Sequence, residues 1–145
     1  MTHKSSFAIR SARDFYHEIV VPQYKDFLTK NSSSRHALLA IIVAYHMFEW
    51  ANKNQKFDRK SFSSNYPNEA HLADFFEVAR NITNGTKHFK SKVTTRTQRG
   101  FSSAFSSSFA RPLNVEFPDG TMKSADELLK QMIEFWARQE AAGAF

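Results

Sequence analysis

The chain has 145 residues, the length of one ordinary domain, and 41% of them are apolar, fifteen being phenylalanine. That supports a single packed core and excludes disorder over most of the length. Cysteine is absent, which excludes disulfides, thiolate metal sites and cysteine nucleophiles and fits a reducing, cytoplasmic setting.

The formal charge is +6, but it is unevenly placed. Between Glu77 and Glu116 there is no acid, while Arg80, Lys87, Lys90, Lys92, Arg96, Arg99 and Arg111 all fall there. Such a block creates a local positive field suited to phosphate, an acidic partner or an anionic surface. The N-terminus lacks the continuous hydrophobic region of a signal peptide. The longest uncharged apolar run, Ala37 to Phe48, falls short of the roughly 20 residues that span a bilayer, so no membrane partner is expected.

In chain order, Ser11 with Asp14 predicts the start of a first helix, with Tyr16, Val20, Tyr24, Phe27 and Leu28 on one face. Pro22 predicts a kink or division near Val21. A polar break, Asn31 to Ser34, ends in an N-cap and opens a second helix over about Arg35 to Asn54. Leu38, Leu39, Ile41, Ile42, Val43, Tyr45, Met47, Phe48 and Trp50 surround that helix, which predicts a place in the middle of a bundle or at a dimer seam. Lys53 to Pro67 reads as irregular, anchored by Phe57 and Phe62.

A third helix starts around Pro67, with Leu72, Phe75, Phe76, Ala79 and Ile82 inward. Glu77, Arg80, Asn81, Asn84, Lys87 and His88 form a polar stripe if that helix passes through Gly85. Asn84-Gly85 is equally a left-handed helix stop. Phe101, Phe105 and Phe109 pin a serine-rich extended or looped segment. Leu113 to Phe117 and Thr121 to Lys123 then predict a hairpin across Pro118-Asp119-Gly120. Ser124 to Glu127 is a capping box for a last helix carrying Leu128, Leu129, Met132, Ile133, Phe135 and Trp136, with the end fraying after Gln139. The fold class expected is mainly α: an antiparallel bundle of four to five helices with a small β-hairpin before the last helix, forming one domain over residues 1–145 with loose ends at 1–10 and 140–145.

The polar stripe holds the candidate chemistry. An arginine fork can hold a phosphate and a histidine can exchange a proton near neutral pH, so Arg80 and His88 together suit a phosphodiester. Along a continuous helix they stand roughly 12 Å apart in rise and about 80° apart in azimuth. Lys90, Lys92, Arg96 and Arg99, followed by the three phenylalanines, add cations for a backbone and rings for bases. Six histidines are present, and the pairs His17 with Glu18, His46 with Glu49, and Glu69 with His71 supply no three-ligand spacing, so no metal site is expected. His46 reads as a core histidine satisfied by Glu49 or Tyr45. No glycine-rich phosphate loop, nucleophile elbow or dinucleotide fingerprint occurs, and no cofactor is expected.

Arg80-Asn81 followed by His88 resembles the motif of HEPN domains, in which an arginine and an adjoining polar residue precede a histidine. Asn84-Gly-Thr-Lys87-His88-Phe89 is similar to an Asn-x-x-Lys-His element of uncharacterised bacterial proteins. The resemblance spans Asp74 to Trp136. It implies a helical bundle, a homodimer and a metal-independent ribonuclease of defence or toxin type acting on RNA. In that reading Arg80, Asn81 and His88 are catalytic, and Asn84, Lys87, Lys90, Lys92, Arg96 and Arg99 bind substrate. Two readings compete with it: a polar face that is simply solvated, or whose Arg80, Asn81 and His88 join Glu77 in a structural hydrogen-bond network; and a noncatalytic helical dimer module that binds a protein or small anion through the same face.

Overall fold

The first helix forms where the sequence signals place it. Ser11 is extended and its Oγ accepts from the Asp14 N–H at 3.0 Å, while the Asp14 carboxylate accepts from the Arg10 N–H, so two free donors at the helix start are satisfied. The computed structural model describes residues 8–87, 95–97 and 113–145. The helix that opens here, α1 (Ala12–Phe15), widens into a π-helical turn over Tyr16–Val20 and continues as α2 (Val21–Thr29).

Pro22 explains the widening. It has no N–H to give, and its ring crowds the preceding turn, so the chain adopts wider pairing in which the Val21 N–H reaches Tyr16 O. The expected division is therefore a bulge within one helical rod. The bulge also rotates the face beyond it: Tyr16, Val20 and Phe27 are buried, but Leu28, expected inward, is 50% exposed.

The second helix, α3 (Ser34–Ala51), is capped one residue earlier than expected, since the Ser33 Oγ accepts from the His36 N–H. It ends three residues early, where Lys53 and Asn54 turn left-handed at φ 53° and 67°. Ala37, Ala40, Ile41, Ala44, Met47 and Phe48 are buried, the alanines allowing close helix approach. Of the two places expected for this helix, the middle of the bundle is not the one it takes within a single chain. Its neighbours cover one side, leaving Leu39 44% and Trp50 37% exposed.

The stretch read as irregular contains a helix, α4 (Arg59–Asn65), opened by a reciprocal box in which Asp58 Oδ1 accepts from the Ser61 N–H at 2.7 Å and Ser61 Oγ from the Asp58 N–H at 3.2 Å. Phe57 and Phe62 anchor it in the core as expected. A 3₁₀ turn over Pro67–Leu72 leads into α5 (Ala73–Lys87), which runs on through Gly85, so Asn84-Gly85 is no stop.

Strands β1 (Thr95–Thr97), β2 (Leu113–Glu116) and β3 (Met122–Ser124) form an antiparallel sheet in the order β1-β2-β3. The hairpin β2-β3 was expected and β1 was not. Val115 pairs with Thr95 on one side and Lys123 on the other. Gly120 holds φ 86° in the connecting turn, and Asp119 Oδ1 accepts from the Thr121 N–H at 2.9 Å. Phe117 packs edge-on against Phe75 of α5 at 5.2 Å, with Lys123 Nζ 5.6 Å above the Phe117 ring.

Ser124 caps the last helix, α6 (Ala125–Ala141), through the Glu127 N–H. The C-terminal residues are anchored beyond Gln139: Glu140 meets His17, and Phe145 packs on Tyr16 and Trp136. The result is a mainly helical bundle with a small antiparallel sheet before the last helix. Its centre is aromatic, with Phe62 between Phe76 (4.8 Å) and Phe135 (5.4 Å), and Trp136 donating to the Ala44 carbonyl at 2.9 Å. Burying a ring of this size contributes about 1.5–3 kcal/mol, so this cluster is the main source of stability.

Candidate functional site: the α3–α5 polar seam

Because α5 is continuous, Glu77, Arg80, Asn84 and Lys87 recur at three- and four-residue intervals along one side, with Asn81 flanking them. Helix α3 packs beside α5 and adds Tyr45, His46 and Glu49 from its own outer edge. The seam is therefore a two-helix constellation, of which the sequence pattern exposes only the α5 half.

Arg80 is held within its own helix. Its Nη2 donates to Glu77 Oε1 at 2.6 Å, while its Nε is buried with no partner. One edge of the guanidinium is thus engaged and an inner donor is unmet, an arrangement that is costly unless something accepts from it. Thr83, one turn on, is also buried and its Oγ1 has no partner. Asn84 and Lys87 are exposed, and Asn81 is half-buried.

The α3 side sets proton chemistry. Burial raises the Tyr45 hydroxyl above its ordinary value; Glu49 adds to this, Arg80 partly offsets it and Glu77 adds again. Tyr45 is consequently a neutral donor. Burial lowers His46 below its ordinary 6.5, against the opposing pull of Glu49 and with help from Lys87. His46 Nδ1 lies 4.0 Å from Glu49 Oε2, beyond hydrogen-bond length, and the side chain is 35% exposed. It is a neutral, partly open imidazole at the seam, not the satisfied core residue expected from the sequence. Two acids, Glu49 and Glu77, balance two cations, Arg80 and Lys87, so the described seam is electrically even.

His88, Lys90, Lys92 and Arg99 lie outside the described residues, as do Phe101, Phe105 and Phe109. Arg96 lies in β1, its backbone opposite Asn114. Of the expected site residues, Arg80, Asn81, Asn84 and Lys87 are thus brought onto one helix. Tyr45, His46 and Glu49 are the neighbours that sequence reasoning did not assign to the site; the His46/Glu49 spacing was its only visible signal. Among the described residues no three His, Asp or Glu side chains converge as a metal cluster, and no helix is long and apolar enough to cross a membrane. No known protein family, curated protein or solved structure matches the chain.

Proposed function

We propose that the chain is a HEPN-like, RNA-directed protein of the cytoplasm that engages RNA phosphates along the α3–α5 seam and cleaves them without metal. The observation that carries this reading is the unbroken course of α5 through Gly85. It aligns Arg80, Asn84 and Lys87, which belong to the acid-free block that begins after Glu77. Arg80 exchanges its Glu77 partner for a phosphate oxygen, gaining a bidentate contact, while Lys87 acts as a point charge. Asn81 and Asn84 orient the sugar and base edges. In cleavage His88 as general base takes the 2′-hydroxyl proton while that oxygen attacks phosphorus to form the 2′,3′-cyclic phosphate, and the bond to the 5′-oxygen breaks with the departing alkoxide taking its proton from water. A homodimer is part of the reading, supported by the exposed Leu28 and Leu39 on either side of the connection between α2 and α3.

The test uses purified full-length protein and a panel of structured and unstructured RNAs. Binding should weaken steeply with salt, with a log-log slope of about −0.7 to −0.9 per phosphate contact. Cleavage should persist in chelator and fall at least about a hundredfold in both Arg80→Ala and His88→Ala, with the fold retained. Salt-dependent binding without cleavage reduces the protein to an RNA binder. Absence of both at low salt rejects the reading in favour of the noncatalytic module.

A further inference from the structure

A second site lies where the C-terminal end of α3 meets the segment entering α1. Ile9, Arg10, Ser11, Ala12, Trp50, Lys53 and Asn54 line an open cavity of about 570 Å³. That volume falls in the range of small-molecule sites, about 300–1,000 Å³.

Its walls are fixed. Phe15 stacks on the Trp50 indole at 5.1 Å and 15°, holding the ring in place while it stays 37% exposed. The Arg10 N–H is tied to Asp14, and Ser11 is engaged as the helix cap. On the other wall the Asn54 N–H donates to Glu49 O at 2.7 Å, which locks the left-handed turn at Lys53 and Asn54. A lysine in that conformation costs roughly 1–2 kcal/mol, so the turn is held by its surroundings.

The lining carries two cations and no carboxylate. Among the described residues neither Arg10 nor Lys53 has an ion-pair partner, whereas Arg13, one turn on from Arg10, pairs with Glu140. An indole held by Phe15 beside two cations without an ion-pair partner among the described residues suits a ligand with a flat ring and a negative group at short range. A purely apolar ligand would leave both cations unused, and an inorganic anion would leave the indole unused.

We propose that this cavity binds a nucleoside phosphate unit, with the base stacked on Trp50 and the phosphate held between Arg10 and Lys53. The site stands independently of the α3–α5 seam and of whether the protein cleaves RNA.

Fluorescence provides the test, because the only other tryptophan, Trp136, is fully buried and serves as an internal reference. Titration of the full chain with adenosine 5′-monophosphate should quench Trp50 saturably. Adenosine and ribose 5-phosphate, which each lack one half of the ligand, should bind at least about tenfold more weakly, the scale of one lost stacking contact. Arg10→Ala and Lys53→Ala should each weaken binding about fivefold, as for a partly exposed ion pair. Trp50→Leu should abolish the optical response and reduce heat-detected binding about tenfold. Since Trp50 also contacts Phe15, the two cation variants, which lie at exposed positions, keep the proposal testable if Trp50→Leu unfolds. A short adenylate oligonucleotide binding tighter than the monophosphate would place the nucleotide within RNA; equal affinity would make it a free mononucleotide. Absence of saturable quenching, or affinity unchanged in both cation variants, overturns the site.

Discussion

The two sides of the α3–α5 pair are built from opposite chemistry. Toward the interior, Phe48 and Phe76 join Phe57, Phe62, Tyr66, Phe135 and Trp136 in a packed aromatic cluster. Along the outer edge, Tyr45, His46 and Glu49 face Glu77, Arg80 and Lys87 with few completed hydrogen bonds. The interior satisfies what it buries: the Trp136 indole N–H is bonded to Ala44 O, and the Tyr66 hydroxyl accepts from Asn52 Nδ2. The seam leaves Arg80 Nε and Thr83 Oγ1 buried and unmatched. Stability is thus concentrated on one side and unmet polarity on the other, the division expected when a rigid scaffold carries a binding edge.

The largest test of that division is Phe62→Ala. Its ring touches Phe48, Phe57, Tyr66, Phe76 and Phe135, so removal should cost about 3–5 kcal/mol and shift the urea midpoint accordingly. A loss near zero would mean that the aromatic cluster is not the stabilising core. Asn52→Ala probes the rim of the same cluster. It removes donations to Phe48 O at 2.8 Å and Tyr66 Oη at 2.9 Å, along with the acceptor for Asn65, and should cost about 1–2 kcal/mol.

These interior features were largely legible in advance. Phe57, Phe62, Phe76 and Trp136 stand at helical spacings or beside turn signals, and burial follows from pattern. The hairpin likewise follows from alternation at Val115 and Phe117 around Asp119-Gly120. Helix α4 was missed because its box uses Asp58 as cap and Ser61 in place of the usual Glu or Gln, within a seven-residue helix too short to display a period. Leu28 was misplaced because the π turn rotates the later face about the axis, so that Phe27 still meets the core while its neighbour Leu28 turns outward. The seam was half legible: the stripe on α5 is a one-helix pattern, but its meeting with Tyr45, His46 and Glu49 depends on how two helices pack, which no local spacing records.

Gly85→Ala sharpens the comparison at the seam itself. In a continuous helix alanine is favoured over glycine by about 0.5–1 kcal/mol, so the variant should be more stable by that amount. Were Gly85 a left-handed stop, the same change would destabilise by a similar margin. The sign of the shift in denaturation midpoint therefore decides whether Arg80, Asn84 and Lys87 share one face.

The smallest expected effect belongs to His46, and it is read from a pH difference. Burial lowers its proton affinity in the folded state, Glu49 opposes this and Lys87 assists, with burial the largest of the three. The unfolded chain therefore binds the His46 proton more readily than the folded one. Its contribution to stability is present above the ordinary histidine value of 6.5 and is lost as pH falls through that value toward the lower folded one. Denaturation midpoints at pH 7.5 and 5.0 should consequently fall further for the wild type than for His46→Gln, which remains neutral throughout. An equal fall in both would mean that the imidazole is as well solvated as in the unfolded chain. A greater fall in His46→Gln would mean that Glu49 outweighs burial and that the seam stabilises the imidazolium rather than the neutral imidazole.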